Sequence, residues 1–295
     1  MLDRETRLSE PGHRPSPALV LIGHVGYATD RTASGMISYV GGSGYAAAFA
    51  ASTLLPGGAG LVTQVGEDFD LSSLRRLPLD PEGVAVLPGA SATFRIVQFD
   101  DGTRSFESGL GVASRPRRDL FPVSYLQARY IHLGTAPPRQ QLAWLKFLRD
   151  KGCHARLSVD MFEHFVATEP DASRKACEQA DLIFLNEQEF KGLYAGTPLP
   201  NVPAILKYGP GGAEFLTGGT RSRVAAPPAP EVDPIGAGEI LAGAFLALRA
   251  RGLPEIRALR YAVSAAAASV TELGVDGPRL TRALARIMDQ LQRPS

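Results

Sequence analysis

The sequence predicts a three-layer α/β/α protein with a central, mostly parallel sheet and a smaller second sheet. Short apolar runs that end in Gly, Asp or Asn and lead into helix-like segments predict the layers, because parallel strands buried on both faces read as continuous apolar stretches. A stretch of alternating apolar and polar residues around an Asp-Gly turn predicts the second sheet. A Gly-Ala-Gly turn opening a long apolar helix predicts where the chemistry lies.

In chain order, residues 1–17 are polar, carry Arg4, Arg7, Arg14, Pro11, Pro15 and Pro17, and have no apolar segment of the signal-peptide kind. They read as a disordered leader, and 18–295 as one domain. The first run is Ala18-Leu-Val-Leu-Ile22 before Gly23. The series continues with Tyr130–Leu133 before Gly134, Arg156–Val159 before Asp160, Leu182–Leu185 before Asn186 and Ala204–Tyr208 before Gly209. Ligands of such sheets bind beyond the carboxyl ends of the strands, where these Gly, Asp and Asn residues fall. The hairpin pattern covers Ser91–Phe99, Asp100-Asp-Gly102 and Thr103–Phe106, and with Gly35–Val40 it forms either a lid or an edge extension of the main sheet. The Pro-rich segment Ala225–Pro230 is a connector, and Gly252-Leu-Pro254 stops the last strongly apolar helix.

Lys+Arg number 31 against Asp+Glu 30, a net charge of +1 that excludes the one-signed field of a nucleic-acid or anionic-membrane binder. The apolar stretches Ile240–Leu248 and Tyr261–Val270 stop short of the roughly 20 residues a membrane span needs. Cys153 and Cys177 are too few for a disulfide framework, and a cytoplasmic location is expected. There is no Gly-Lys-Ser/Thr of a P-loop, no zincin motif, no nucleophile elbow and no dinucleotide-binding glycine turn.

The sharpest local feature is Asp233-Pro-Ile-Gly236-Ala237-Gly238-Glu239 before the helical run Ile240–Leu248. Small residues there let backbone N–H groups approach an anion of phosphate size, and the helix dipole adds attraction. An isolated Glu at a helix start is ordinarily a dipole or capping residue. Directly after the Gly-Ala-Gly turn, Glu239 is also placed to take a proton from an attacking hydroxyl.

This segment resembles the carboxy-terminal Asp-Thr-x-Gly-Ala-Gly-Asp signature of the ribokinase, or PfkB carbohydrate kinase, family. Gly41-Gly42-Ser-Gly-Tyr45 through Ala51, then Val65-Gly66-Glu-Asp68, looks like the family's Gly-Gly helix and Val-Gly-x-Asp turn. Asn186-Glu-Gln-Glu189 resembles its Asn-x-x-Glu motif, and Lys207-Tyr-Gly209-Pro-Gly211-Gly212 its Gly-rich nucleotide loop, all in the family's order.

The resemblance implies a ribokinase-like fold whose β-lid, with strands within 31–40 and 91–107, covers an acceptor alcohol. It implies transfer of the γ-phosphoryl group of ATP, with Mg²⁺, to a hydroxyl of a sugar, cyclitol or nucleoside, in a monomer or homodimer. Gly236, Ala237 and Gly238 are then the anion hole and Glu239 the base. Asn186, Glu189, Lys207, Gly209, Gly211 and Gly212 bear on the nucleotide, Glu189 on Mg²⁺ indirectly. Gly41, Gly42, Tyr45, His24 and Asp30 belong to the acceptor pocket. Asp233 would lie by the monovalent-cation site that some members use.

Taken without the motifs, Asn186 and Glu189 are a turn residue and a helix-start acid, Gly211-Gly212 suits a hairpin turn, His24 is a structural hydrogen-bonder and Asp68 fixes a loop. The pattern is also broken in places. Glu239 stands for the family's Asp, Pro234 for its Thr, and Ala28 and Ala46 for acceptor-side polar residues. Those departures motivate a second reading, a catalytically weak or silent ligand-binding or regulatory protein on the same fold.

Overall fold

The computed structural model describes residues 6–7, 16–32, 35–98, 104–195 and 199–293. A ten-stranded sheet carries the domain. Its order is Thr6–Arg7, Val84–Leu87, Ala59–Gly66, Leu19–Ile22, Tyr130–Leu133, Arg156–Asp160, Leu182–Asn186, Ala204–Lys207, Ala213–Thr217 and Thr220–Val224. From Val84–Leu87 through Ala204–Lys207 every pairing is parallel, while the outermost strands on both edges are antiparallel.

Strand alternation divides the core in two. Leu19, Leu21, Leu61, Val65, Phe184 and Ile205 face helices Ser43–Leu54, Ala237–Ala250, Glu255–Ser269 and Pro278–Gln292. Val20, Ile22, Val62, Ile131, Leu133, Ile183 and Leu185 face Pro138–Asp150, Pro170–Gln179 and Glu187–Tyr194. Both faces are covered, as the continuous apolar strands require. The Ser43–Leu54 and Ala237–Ala250 helices pack so closely that a side chain on Gly243 would run into the Ala47 carbonyl.

The second sheet is separate and four-stranded, in the order Gly35–Gly41, Gly26–Thr32, Ala92–Gln98, Arg104–Gly109. The predicted hairpin is present, with Phe94 opposite Ser108 and Ile96 opposite Phe106, although its Asp-Gly turn lies outside the described residues. Gly26–Thr32 is a strand that sequence patterning leaves unassigned, and it pairs with both Gly35–Gly41 and Ala92–Gln98. One correction concerns the leader. Thr6 and Arg7 pair antiparallel with Val86 and Ala85, because an edge strand offers backbone hydrogen bonds whatever the side chains of the segment that takes them.

Chain order reverses beside Leu19–Ile22. The chain first runs outward to Ala59–Gly66 and Val84–Leu87, then returns to Tyr130–Leu133 on the other side. The turns after these central strands, Gly23-His24 and Gly134-Thr135, therefore stand at a topological switch point, where open α/β sheets hold their ligands.

Candidate active site

A cavity of about 770 Å³ opens at this point, between the carboxyl ends of the strands and the second sheet. The sheet covers it as a lid, with Ala28, Tyr39 and Phe94 facing in.

At one side of the cavity the Ala237–Ala250 helix begins. Gly236 is its N-cap in the left-handed region, φ 80°, which glycine adopts without strain. Gly236, Ala237, Gly238 and Glu239 all line the cavity. The Ala237 N–H turns back to the Pro234 carbonyl at 3.3 Å, whereas Gly238 and Glu239 stand in the first turn, whose N–H groups have no acceptor within a helix. Thr135 Oγ1 lies 3.5 Å from Glu239 Oε1, at the long limit of a hydrogen bond. Ser43 stitches the adjoining turns together, donating to the Thr135 carbonyl at 3.2 Å and accepting from the His24 N–H at 3.4 Å.

Asn186 and Glu189 take the structural part open to them in the sequence. They form a capping box on the Glu187–Tyr194 helix, with Glu189 N–H donating to Asn186 Oδ1 at 2.8 Å and Asn186 N–H to Glu189 Oε2 at 2.7 Å. Both line the cavity. Burial pushes the Glu189 carboxyl above its usual range, against the pull of Lys207.

Lys207 ends its strand pointing into the cavity. Its Nζ lies 2.6 Å from Asp160 Oδ1, and a Cβ added to Gly238 would lie 3.1 Å from it. Burial works against this charge, but the attraction of Asp160, Glu189 and Glu239 prevails and holds the ammonium above the ordinary lysine range. Gly209 and Gly212 line the cavity beside Ala226–Ala229, whereas Gly211 turns toward Arg223, whose Nη2 donates to its carbonyl at 3.2 Å. The loop is also the turn between paired strands, Ile205 opposite Phe215.

Of the residues expected on the acceptor side, Gly41, Gly42 and His24 line the cavity. Gly42 caps the Ser43–Leu54 helix at φ 101°, and a Cβ there would collide with the His24 carbonyl. Burial lowers the His24 pKa against a hydrogen bond with the Thr135 backbone, so the ring is neutral near pH 7. Tyr45 is not in the cavity. It is 1% exposed in the core, with Oη donating to Asp276 Oδ2 at 3.1 Å, and Ala46 faces the cavity instead. Asp30 sits in the lid strand opposite Ile37 and Ile96, and its side chain lies outside the described residues. Asp68 fixes a loop, accepting from Ser91 N–H at 2.8 Å and Ser91 Oγ at 2.6 Å.

Asp233 is buried, accepting from Ile235 N–H at 3.0 Å and Gly274 N–H at 3.2 Å, which ties the anion-hole turn to the loop carrying Val275. Residues missed in the sequence are Ser43, Thr135, Met161, Phe162 and Phe165. Asp160 was visible there only as a strand end.

The residues suit a polyphosphate. A helix N-terminus, a buried ammonium and glycines without room for side chains converge on one wall. No group of three or more His, Cys, Asp or Glu suited to a metal occurs among the described residues. A magnesium ion would therefore depend largely on phosphate oxygens and water, its usual habit, with Glu189 and Glu239 nearby. No helix among the described residues is long and apolar enough to cross a membrane.

Fold and site together define an α/β protein with a lidded cavity at the sheet's switch point, lined by residues that suit a polyphosphate. The chain belongs to the pfkB carbohydrate kinase family, whose model matches residues 20–282, and so to the kinases of the ribokinase type. It is 31% identical over 252 residues to a cytidine kinase of Thermococcus kodakarensis, covering 80% of this chain and 90% of that one. Among solved structures it is similar to a nucleoside kinase of Burkholderia thailandensis in complex with inosine, at TM-score 0.77 and 19% identity over 94% of this chain and 100% of that one. A putative ribokinase II from E. coli gives TM-score 0.77 and 21% identity over the same shares, 94% and 100%. A second structure of a putative ribokinase II from E. coli, in complex with ATP and Mg²⁺, gives TM-score 0.75 and 20% identity over 94% and 100%.

Proposed function

We propose that this chain is an ATP-dependent nucleoside kinase that phosphorylates a sugar hydroxyl of its acceptor. The carrying observation is one continuous cavity in which Glu239, directly after the Gly236–Gly238 turn, stands between a phosphate-binding wall and an aromatic acceptor chamber. Tyr39 and Phe94 from the lid and Phe162 and Phe165 from the segment after Asp160 all line that cavity, with Ala28 and Ala46 where hydroxyl-binding groups would serve a free sugar. Aromatic faces favour a flat ring such as a nucleobase. The likeness to a cytidine kinase supports the same choice.

ATP bound with Mg²⁺ supplies the γ-phosphoryl group, as the ATP and Mg²⁺ complex of a family neighbour suggests. Glu239 accepts the proton of the attacking hydroxyl as the new O–P bond forms and the bond to the bridging oxygen breaks, leaving ADP with that electron pair. Gly236, Ala237 and Gly238 shape the anion hole, and the N–H groups of Gly238 and Glu239 donate to the developing charge, since that of Ala237 is held by the Pro234 carbonyl. Gly209, Gly212, Asn186, Glu189 and Lys207 form the nucleotide side, and Gly41, Gly42, His24 and the strand bearing Asp30 the acceptor side. Asp233 braces the anion-hole turn through the Ile235 and Gly274 N–H groups.

Incubation with Mg-ATP and a panel of ribonucleosides, free ribose, hexoses and cyclitols tests the proposal. Phosphorylated nucleoside is expected as the main product. Efficient turnover of a free sugar or cyclitol in preference to every nucleoside overturns the acceptor assignment. No observation favours the silent ligand-binding alternative.

A further inference from the structure

A buried ion pair lies under the anion hole. Lys207 and Asp160 are not on adjacent strands, because Leu182–Asn186 runs between them, so the lysine reaches across the end of that strand to place Nζ 2.6 Å from Asp160 Oδ1. Their side chains are 15% and 0% exposed. Asp160 Oδ2 has no hydrogen-bond partner among the described residues. A buried pair is seldom more stabilising than apolar residues of the same volume, and an unpartnered buried oxygen adds a further cost. Stability alone therefore does not account for the arrangement.

The charges around Lys207 supply a reason. Glu189 reaches it from the Glu187–Tyr194 helix, Glu239 from the Ala237–Ala250 helix and Asp160 from the sheet, with the neutral His132 below. Glu189, Glu239 and Lys207 line a cavity suited to a polyphosphate, with Asp160 buried directly behind the lysine, so the ammonium offsets the repulsion among these carboxylates. Its anchor also matters. Held by Asp160, Lys207 sits beside Gly238 rather than in an ion pair with Glu239, and Glu239 stays free to accept a proton.

We propose that Lys207 is a catalytic residue that contacts the phosphoryl group in transfer, and that Asp160 is its positioning residue, keeping the ammonium on the phosphate and off Glu239. This rests on the phosphotransferase reading above and adds to it a second electrostatic contact facing the anion hole and a carboxylate with no part in proton transfer.

Steady-state kinetics and calorimetric titration of Lys207→Met, Asp160→Asn and the double variant test it. Lys207→Met should lower kcat by about 10²- to 10³-fold, the usual effect of removing one preorganised charge-stabilising donor. It should also weaken binding of a non-hydrolysable ATP analogue at least about tenfold more than binding of ADP, a loss typical of one charge-assisted hydrogen bond. Asp160→Asn should lower kcat by about 10- to 100-fold, as loss of a supporting partner does, with KM for the acceptor unchanged. In the Lys207→Met background the Asp160 substitution should change kcat by less than about twofold, because it acts through the lysine. Additive losses in the double variant, or equal weakening of the ATP analogue and ADP, overturn the proposal. The double variant buries neither charge, so it carries the ligand comparison against wild type if Lys207→Met alone does not fold. Wild-type protein that turns over no alcohol with Mg-ATP would overturn the phosphotransferase reading instead, while the ATP-analogue and ADP titrations still read Lys207.

Discussion

Thr135 Oγ1 stands 3.5 Å from Glu239 Oε1, joining the turn after a central strand to the first turn of the Ala237–Ala250 helix. Glu is one methylene longer than the family's Asp, and Thr135 marks where its carboxylate comes to rest. Glu239→Gln should reduce kcat by about 10²- to 10⁴-fold with nucleotide binding retained, since the amide cannot take the proton. Glu239→Asp should also lose activity, by about 10²-fold, because it withdraws the carboxylate by roughly 1 Å from a site shaped for the longer side chain. Measured kcat for the two variants checks both, and a fully active Asp variant would refute the shaping.

Two helix glycines should respond in opposite ways. Gly238→Ala sets a methyl 3.1 Å from the movable end of Lys207, so the fold should survive while nucleotide affinity falls about tenfold through a disturbed charge-assisted hydrogen bond. Gly243→Ala drives its methyl into the Ala47 backbone carbonyl, and overpacking of this kind costs about 1–3 kcal/mol. Thermal denaturation and calorimetric titration together separate the two effects.

Phe94 packs with Ala28, Ala92 and Tyr39 in a cluster of its own, away from the two main cores. Phe94→Ala should therefore raise KM for the nucleoside while leaving ATP binding unchanged. Loss of one aromatic contact corresponds to about a 3- to 10-fold rise. Equal effects on both substrates would place the ring elsewhere in the reaction.

His132 is buried and its pKa is lowered to about 3 by desolvation, with Lys207 adding to the shift. Between about 3 and its ordinary 6.5 the unfolded chain binds a proton that the folded chain does not. Stability from this residue is thus complete above pH 6.5 and lost as pH falls toward about 3, by about 1.4 kcal/mol per unit. Urea unfolding at pH 7 and pH 5 should show a larger loss for wild type than for His132→Gln.

Most of the main sheet was legible in the sequence because its strands are continuous apolar runs, and Tyr130–Leu133 has the predicted bounds. Ala59–Gly66 was not, since Thr63 and Gln64 interrupt its apolar run, and neither was the short Val84–Leu87. The Gly236-Ala237-Gly238 turn on the cavity wall was legible because glycines before an apolar run mark a helix start locally. Tyr45 was misplaced for a physical reason. Ser43–Leu54 is small and apolar nearly all round, with no polar stripe to set its rotation, and one residue's turn exchanges Tyr45 for Ala46. Asp160 and Lys207 are far apart in the chain, and their meeting depends on the order of the strands, which no local pattern encodes.

The reversal of chain order beside Leu19–Ile22 also sets the cavity's walls apart along the chain. The lid and the Gly-Gly turn, from His24 to Leu110, supply one part of the cavity lining, Met161, Phe162 and Phe165 a second, and Asn186, Lys207 and Gly236 to Glu239 a third. The lid lining and the helix-start lining are thereby written in separate stretches of sequence. A chimera exchanging the early stretch with a relative's should inherit that relative's alcohol and keep this chain's phosphate chemistry.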